Sequence, residues 1–542
     1  RNLSVLDDCL LNIKANQGKD VVLEDLTLDD PKTYELLSRG DTLGVFQLDG
    51  GPMRALLKSM SPDSFEDISA VIALYRPGPM GENAHNNYAD RKNGRKPVEP
   101  IHPELSEPLN EILGDTYGLI VYQEQVMAIA QKVAGFTLGR ADLLRKAMGK
   151  KNKEILDKEY VPFEAGMKEN GFSTAAIKRL WEVLIPFSDY AFNRAHSAGY
   201  GVVSYWTAYL KANYPTEYMA ALLTSVRDDK DKSALYLSEC RRMGINVLPP
   251  DVNESDAEYT PRGVDIRFGL AAIRNVGEGV VASIKSARDA KGRYTSFGDF
   301  LAKVDAQVCN KKTIESLIKA GAFGSLGSTR KGLIAVHLEA IDSVIESKRA
   351  EAIGQFDLFG GEAVTAVSGL DIEVPTGEWD KAMLLSYERE MLGLYVSDHP
   401  LLGVEHVLRA NTDMSISELV DDGAQHESIV TIGGLITSVT RKVSRQGASW
   451  AVVTVEDLEG ALEVLFFANT YNQYSMSLTE DRIVTIRGRV DRREDALRFT
   501  ALEMSMPDIS AGPTGPLVIS LPIQQCTPPV VDRIKEILRS HP

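Results

Sequence analysis

The spacing of apolar residues changes along this chain, and no single core accommodates both patterns. From residue 1 to about 250 the apolar positions recur at helical intervals. Val126, Ile129, Ala130 and Val133 share one face of a segment running from Gln123 to Val133. A further helix is predicted from about Ala198 to Asn213, with Pro215 stopping it. From Ser428 to about Met504 the period is two. Ile429–Ile432, Trp450–Val455, Leu462–Phe466 and Ile483–Ile486 read as strands, parted by turns such as Gln446-Gly447 and Glu459-Gly460. Four or five short strands in so little chain predict a small closed barrel, an OB-fold before any other.

Length agrees with several cores: 542 residues make three or four domains at ~150 residues each. The expected class is α+β and multidomain. A mainly helical domain spans 1–250, a helical hairpin unit 251–350, a linker region 351–427 and the barrel 428–506. A truncated α/β unit opens at 515–542, with a strand at Leu517–Ile519 and a helix at Val531–Leu538. The chain starts on Arg1 and stops on Ser540-His541-Pro542, so it reads as cut at both ends, without a signal peptide. No run approaches the ~18 apolar residues of a membrane helix.

The net charge of -16 argues against a chain coated in basic surface, so a nucleic-acid role has to rest on local patches. Cys9, Cys240, Cys309 and Cys526 form no C-x-x-C, and the eight histidines form no paired ligand motif, which predicts reduced cytosolic thiols and no zinc site. The densest basic patch is 140–153, six basic residues against one acid. Arg145, Lys146, Lys150 and Lys151 at a helix end and loop suit a triphosphate, whose charges need several donors; the competing reading is a solvated helix end. Asn193, Arg194 and His196, just ahead of the second helix, make a turn fit to hold a nucleoside, or merely a satisfied helix start. Ile273–Ile284 matches h-x-x-h-G-x-G-x-x-A-x-h, in which Gly277 and Gly279 permit a tight reversal and bring backbone amides to a DNA phosphate. Glu278 departs from that pattern, and a plain αα-turn is the alternative. Asp229-Lys230-Asp231 is the one Asp-x-Asp of note, and it reads as a solvated polar loop. No metal site and no catalytic acids are expected from these patterns.

Collinear with these patches are the runs Leu43–Leu48, Ala73–Pro79, Thr116–Gln125, Leu144–Lys151, Phe192–Tyr200, Arg241–Gly244 and Leu394–Pro400. Together they resemble the α subunit of bacterial DNA polymerase III, the C-family replicative polymerase, over essentially the whole chain. The resemblance implies that 1–250 is the fingers domain, starting at the edge of the palm. It makes 251–350 the helix-hairpin-helix or clamp-binding domain, 428–506 the OB domain and 515–542 the start of a τ-binding domain. The reaction implied is attack of a primer 3′-hydroxyl on the α-phosphate of a dNTP, with release of pyrophosphate. The palm aspartates that hold Mg²⁺ in the family precede this region, so the metal is expected outside this chain and no residue here is catalytic. Lys146 stands where the family often carries a second arginine, turning a bidentate phosphate contact into a point charge.

Partners implied are primer-template DNA, dNTP, the β sliding clamp, the clamp-loader τ subunit and a proofreading subunit, in the cytoplasm and with no membrane. Gln355, Phe356, Asp357, Leu358 and Phe359 form the clamp-binding peptide, Phe356 standing where leucine or alanine is commoner. That peptide favours the replicative enzyme over its error-prone paralogue. A non-enzymatic DNA-binding scaffold is the other alternative, and it leaves the 140–153 patch unexplained.

Overall fold

The computed structural model describes residues 2–149, 153–187, 192–352, 372–420, 424–444, 447–493 and 496–509, with isolated positions beyond 527. Lys150, Lys151, the peptide Gln355–Phe359 and nearly all of 515–542 lie outside the described residues. The chain divides into two compact units, 1–400 and 401–542.

The first unit is helical apart from one small sheet, and its helices start and stop where local chemistry dictates. Asp30 caps Pro31–Ser38 by accepting from the Thr33 N–H at 2.9 Å, with Pro31 at the first helical position, where no amide is needed. Gln123–Ala134 buries Val126, Ile129, Ala130 and Val133 and ends at Gly135, whose φ of 68° suits glycine. The second predicted helix runs from Arg194 to Asn213, four residues longer at its start than its apolar pattern shows. Asp229 caps the Lys230–Arg242 helix through the Lys232 N–H, so the expected polar loop is a helix start.

Three apolar clusters organise this unit. One gathers Leu37, Leu57, Ile68, Tyr88 and Tyr205, and a second gathers Ile129, Leu144, Phe163 and Leu180. In the second, the 153–169 helix crosses close to the end of the 123–134 helix. A Cβ at Gly166 would collide with the Ala134 carbonyl, so only glycine allows that approach. The third and largest cluster joins Val5, Cys9 and Leu223 to Phe268, Ile284, Phe300, Leu317 and Ile341, packing across residue 250 without interruption. Strands β1 (Val247–Leu248), β2 (Thr260–Arg262) and β3 (Asp265–Arg267) form a sheet ordered β1-β3-β2 beside it. Cys9, Cys240 and Cys309 are free thiols, all buried.

The second unit carries a closed barrel: β4 (Ile429–Val443), β5 (Ser449–Glu456), β6 (Ala461–Phe466), β7 (Ile483–Arg493) and β8 (Ala496–Ser505). The order is β4-β5-β6-β8-β7, with β7 returning to β4 and a parallel β6–β8 contact. The helix Ala468–Tyr474 falls between β6 and β7, completing an OB-type arrangement. Alternation sends Ile432, Ala451, Val453, Val464, Phe466, Ile486 and Phe499 inward. All four predicted strands are present, and β8 is the fifth. β4 extends well past Ile432 because its outer half pairs with β5 while its first half pairs with β7.

Candidate functional site

The two basic patches of the helical unit meet at the start of the 123–134 helix. Tyr122 and Phe192 form an isolated parallel bridge, in which the Gln123 N–H donates to the Phe192 carbonyl at 2.9 Å. That bridge brings together chain segments 70 residues apart. Gln125 reinforces it by accepting from the Val121 and Tyr122 amides at 2.8 and 3.0 Å.

Arg145 reaches the bridge from the helix Leu138–Gly149, donating from Nη1 to Gln123 Oε1 at 3.1 Å. Its Nε lies 2.9 Å from Asp142 Oδ1, and Lys146 Nζ lies 2.7 Å from Asp142 Oδ2. Lys146 first and Arg145 second hold the Asp142 carboxyl below the usual carboxylate range. Arg145 and Lys146 therefore sit side by side, their mutual repulsion relieved by one carboxylate between them.

On the other side, Asn193 caps the 194–213 helix, its Oδ1 accepting from the His196 N–H at 2.8 Å. Its Nδ2 donates to Glu124 Oε1 at 2.8 Å, and the Arg194 N–H donates to Glu124 Oε2 at 2.9 Å. Asn193 is thus engaged at both side-chain atoms in holding the turn. The exposed groups are the Arg194 guanidinium, 5.4 Å from the Tyr122 ring centroid, and the His196 ring, 5.4 Å from Phe192 and 4.5 Å from Tyr200. Arg76, from the Ala73–Pro79 run, lies 4.1 Å from the Phe192 centroid, and burial lowers its affinity for its proton. Arg76, Arg145, Lys146 and Arg194 thus gather around the bridge with Asp142 and Glu124 as the acids among them. Six such groups, four positive, suit an anion with several charges and an aromatic or sugar moiety.

A buried scaffold lies behind this cluster. Ser204 Oγ donates to the Phe46 carbonyl at 2.9 Å, and the Phe46 N–H donates to Thr207 Oγ1 at 3.1 Å. Phe46 in turn packs 5.5 Å from Tyr200. Lys211, on the same helix and fully buried, donates from Nζ to the Asp41 and Leu43 carbonyls, both at 2.8 Å, and to Glu239 Oε1 at 2.6 Å. The Leu43–Leu48 run is therefore pinned to the helix that begins at the site.

The hairpin differs from its expectation in one respect. Its reversal is carried by Asn275, with φ 65°, while Gly277 and Gly279 adopt no left-handed conformation. A single 3-10 turn, Leu270–Ala272, precedes it, and the Leu270 and Ala271 amides donate to the Asp256 and Ala257 carbonyls. The glycines open the helix Glu278–Lys291, and a Cβ at either would meet nothing within 4 Å. The Glu278 and Gly279 amides lie in the first turn, where no intrahelical acceptor exists. The Glu278 carboxylate is paired with Arg227 at 2.7 Å, which offsets its repulsion of a phosphate.

On the barrel, Phe466 is fully buried whereas Trp450 is half-buried on the outer face, stacked on Phe467 at 5.9 Å and 27°. Lys442 Nζ lies 5.3 Å from the Trp450 centroid, as the Lys442–Trp450 register requires. Sequence reading gives Trp450 and Phe466 only as members of strands and misses Phe467 and Lys442; the parity of 466 against 467 is the signal that separates core from surface. Glu124 and Arg76 are also missed there, since each acts through a neighbour far away in sequence.

Three family profiles match. "Bacterial DNA polymerase III alpha subunit finger domain" covers residues 2–171, "Helix-hairpin-helix motif" covers 244–333 and "OB-fold nucleic acid binding domain" covers 430–510. DNA polymerase III subunit alpha of Mycobacterium tuberculosis (strain ATCC 25618 / H37Rv) is 57% identical over 546 residues, which is 100% of this chain and 46% of that protein. The chain belongs to the bacterial DNA polymerase III α-subunit family. The same-named proteins of Thermus aquaticus and Haemophilus influenzae are 38% and 36% identical, over 100% and 98% of this chain and 44% and 46% of their own length. The chain thus spans a little under half the length of these polymerase relatives. No helix among the described residues is long and apolar enough to cross a membrane.

Proposed function

We propose that this chain is the nucleotide-gripping, DNA-binding and clamp-binding part of a replicative DNA polymerase. The reaction is template-directed addition of dNTPs to a primer 3′-hydroxyl, with release of pyrophosphate. One observation carries the reading: two basic patches far apart in sequence converge on the Tyr122–Phe192 bridge. Arg145 and Lys146 meet the triphosphate as adjacent cations, Arg145 as a planar fork and Lys146 as a point charge. Arg194 and the His196 ring face the sugar or base. Asn193 contributes by fixing the turn. Lys150 and Lys151, which follow on the same segment, extend the basic patch.

By the family resemblance, the Mg²⁺ of this chemistry is held by residues outside this chain. The hairpin amides around Gly277 and Gly279 take up duplex backbone without reading bases. The Trp450–Phe467 pair with Lys442 offers a single strand a stacking face and a cation. Gln355–Phe359 docks on the β sliding clamp, Leu358 and Phe359 supplying about 1.5–3 kcal/mol each if fully buried by the partner. The τ subunit is assigned to 515–542, a proofreading subunit is a further partner, and the setting is cytoplasmic.

Primer extension tests the reading. This chain alone is expected to be inactive, and activity is expected when it is joined to the other half of a family polymerase. Inactivity of that joined protein, with folding intact, would favour a DNA-binding scaffold. Replacing Leu358 and Phe359 by Ala should abolish clamp pull-down and processive synthesis while short extension persists.

A further inference from the structure

Glu124 sits between the two arms of the cation cluster, where a carboxylate is at first sight misplaced. A negative charge there opposes a triphosphate, so its presence calls for a compensating role. Each carboxylate oxygen has a partner at the start of the 194–213 helix: Oε1 accepts from Asn193 Nδ2 at 2.8 Å, and Oε2 from the Arg194 N–H at 2.9 Å. The residue before it, Gln123, accepts from Arg145 Nη1 at 3.1 Å and donates its own N–H to the Phe192 carbonyl at 2.9 Å. Gln123 and Glu124 thus hold the Arg145 arm and the Arg194 arm from one helical turn. The bond to Asn193 is set by a second constraint, because Asn193 Oδ1 is committed to the His196 N–H at 2.8 Å. With that oxygen fixed, the amide nitrogen can point only one way, toward the carboxylate.

We infer that Glu124 is a positioning residue of the nucleotide site, fixing the start of the 194–213 helix so that Arg194 and His196 face the same ligand as Arg145. This inference rests on the nucleotide-binding reading of the cluster and adds a residue to it. A carboxylate suits the task because both oxygens accept, as the paired side-chain and backbone N–H donors require. A glutamine keeps the length but turns one acceptor into a donor, which then faces an N–H. It therefore restores only one of the two bonds.

The test is steady-state primer extension by the full polymerase carrying Glu124→Ala, Glu124→Gln or Arg145→Ala, with dNTP varied and primer-template affinity measured separately. The KM for dNTP should rise about tenfold in Glu124→Ala, as for a lost charge-assisted pair, with kcat within about twofold and DNA affinity unchanged. Glu124→Gln should recover part of that loss. Asn193→Ala combined with Glu124→Ala should cost little more than either change alone, because both act through one contact. An unchanged KM in Glu124→Ala beside a raised KM in Arg145→Ala overturns this inference alone. No KM change in either overturns the nucleotide site itself. A KM that falls in Glu124→Ala also overturns it, since the carboxylate would then only repel the nucleotide. A fall in kcat and melting temperature with KM unmoved would mark Glu124 as merely structural.

Discussion

The cation cluster of the helical unit and the outer face of the barrel present positive charge in different ways. In the cluster Arg145 and Lys146 share Asp142, and Glu124 holds the Arg194 backbone amide. On the barrel, Lys442 stands over the Trp450 face beside the stacked Phe467. The cluster is organised by hydrogen bonds between helices remote in sequence, and the barrel face by strand parity alone. The first arrangement suits a compact ligand that needs several fixed charges. The second suits a strand that slides, since every base offers a π-face. Substitutions should accordingly be coupled in the cluster and separable on the barrel.

Parity makes the sharpest prediction. Phe466→Ala empties the barrel interior and should cost about 3–5 kcal/mol in thermal or denaturant unfolding. Phe467→Ala, one residue on and 49% exposed, should leave stability within about 0.5 kcal/mol. It should instead weaken single-stranded DNA binding by about 1–3 kcal/mol, read by fluorescence titration. Equal destabilisation by both changes would break the distinction between core and platform.

Behind the cluster, Lys211→Ala leaves the buried Glu239 with Arg242 as its remaining cation and strips two backbone carbonyls of their donor. The loss should be about 3 kcal/mol of stability. Burial lowers the Lys211 proton affinity, and the Glu239 carboxylate opposes that shift. A change below about 1 kcal/mol would show that the Leu43–Leu48 run is held by packing alone.

Arg145→Ala in the full polymerase should raise the KM for dNTP by about ten- to a hundredfold, the equivalent of a charge-assisted contact of ~1.5–3 kcal/mol. Primer-template affinity should change little. A loss confined to DNA binding would move the cluster from the nucleotide to the template.

How far these contrasts were legible in the sequence depends on the range of the interactions. The barrel was readable because period-two alternation is local: Trp450–Val455 and Leu462–Phe466 show it within a few residues. The 123–134 helix was readable for the same reason, at a different period. The first turn of the 194–213 helix was not, since Arg194, Ala195 and His196 carry no apolar pattern and the start is fixed by the Asn193 cap. Arg145 and the 193–196 turn were visible as separate patches. Nothing short of the Tyr122–Phe192 bridge shows that they face one another.

The hairpin offers the smallest effect and the cleanest separation of fold from contact. Gly277 and Gly279 have ordinary backbone conformations, and an added Cβ at either enters open space. Gly279→Val should therefore fold with stability kept or slightly raised, since valine stands above glycine in helix propensity. It places a branched side chain on the first turn of the 278–291 helix, beside the Glu278 and Gly279 amides. If those amides approach phosphate, the added bulk holds the backbone away, and duplex affinity should fall about fivefold, roughly 1 kcal/mol, on unrelated sequences alike. The reversal itself should be untouched, because Asn275 carries it. Asn275→Val is the complementary change: a β-branched residue is strained at φ 65°, so it should destabilise the unit. Unchanged duplex affinity in Gly279→Val, with the fold intact, would reduce the motif to a turn that serves only the packing of Ile273 and Ile284.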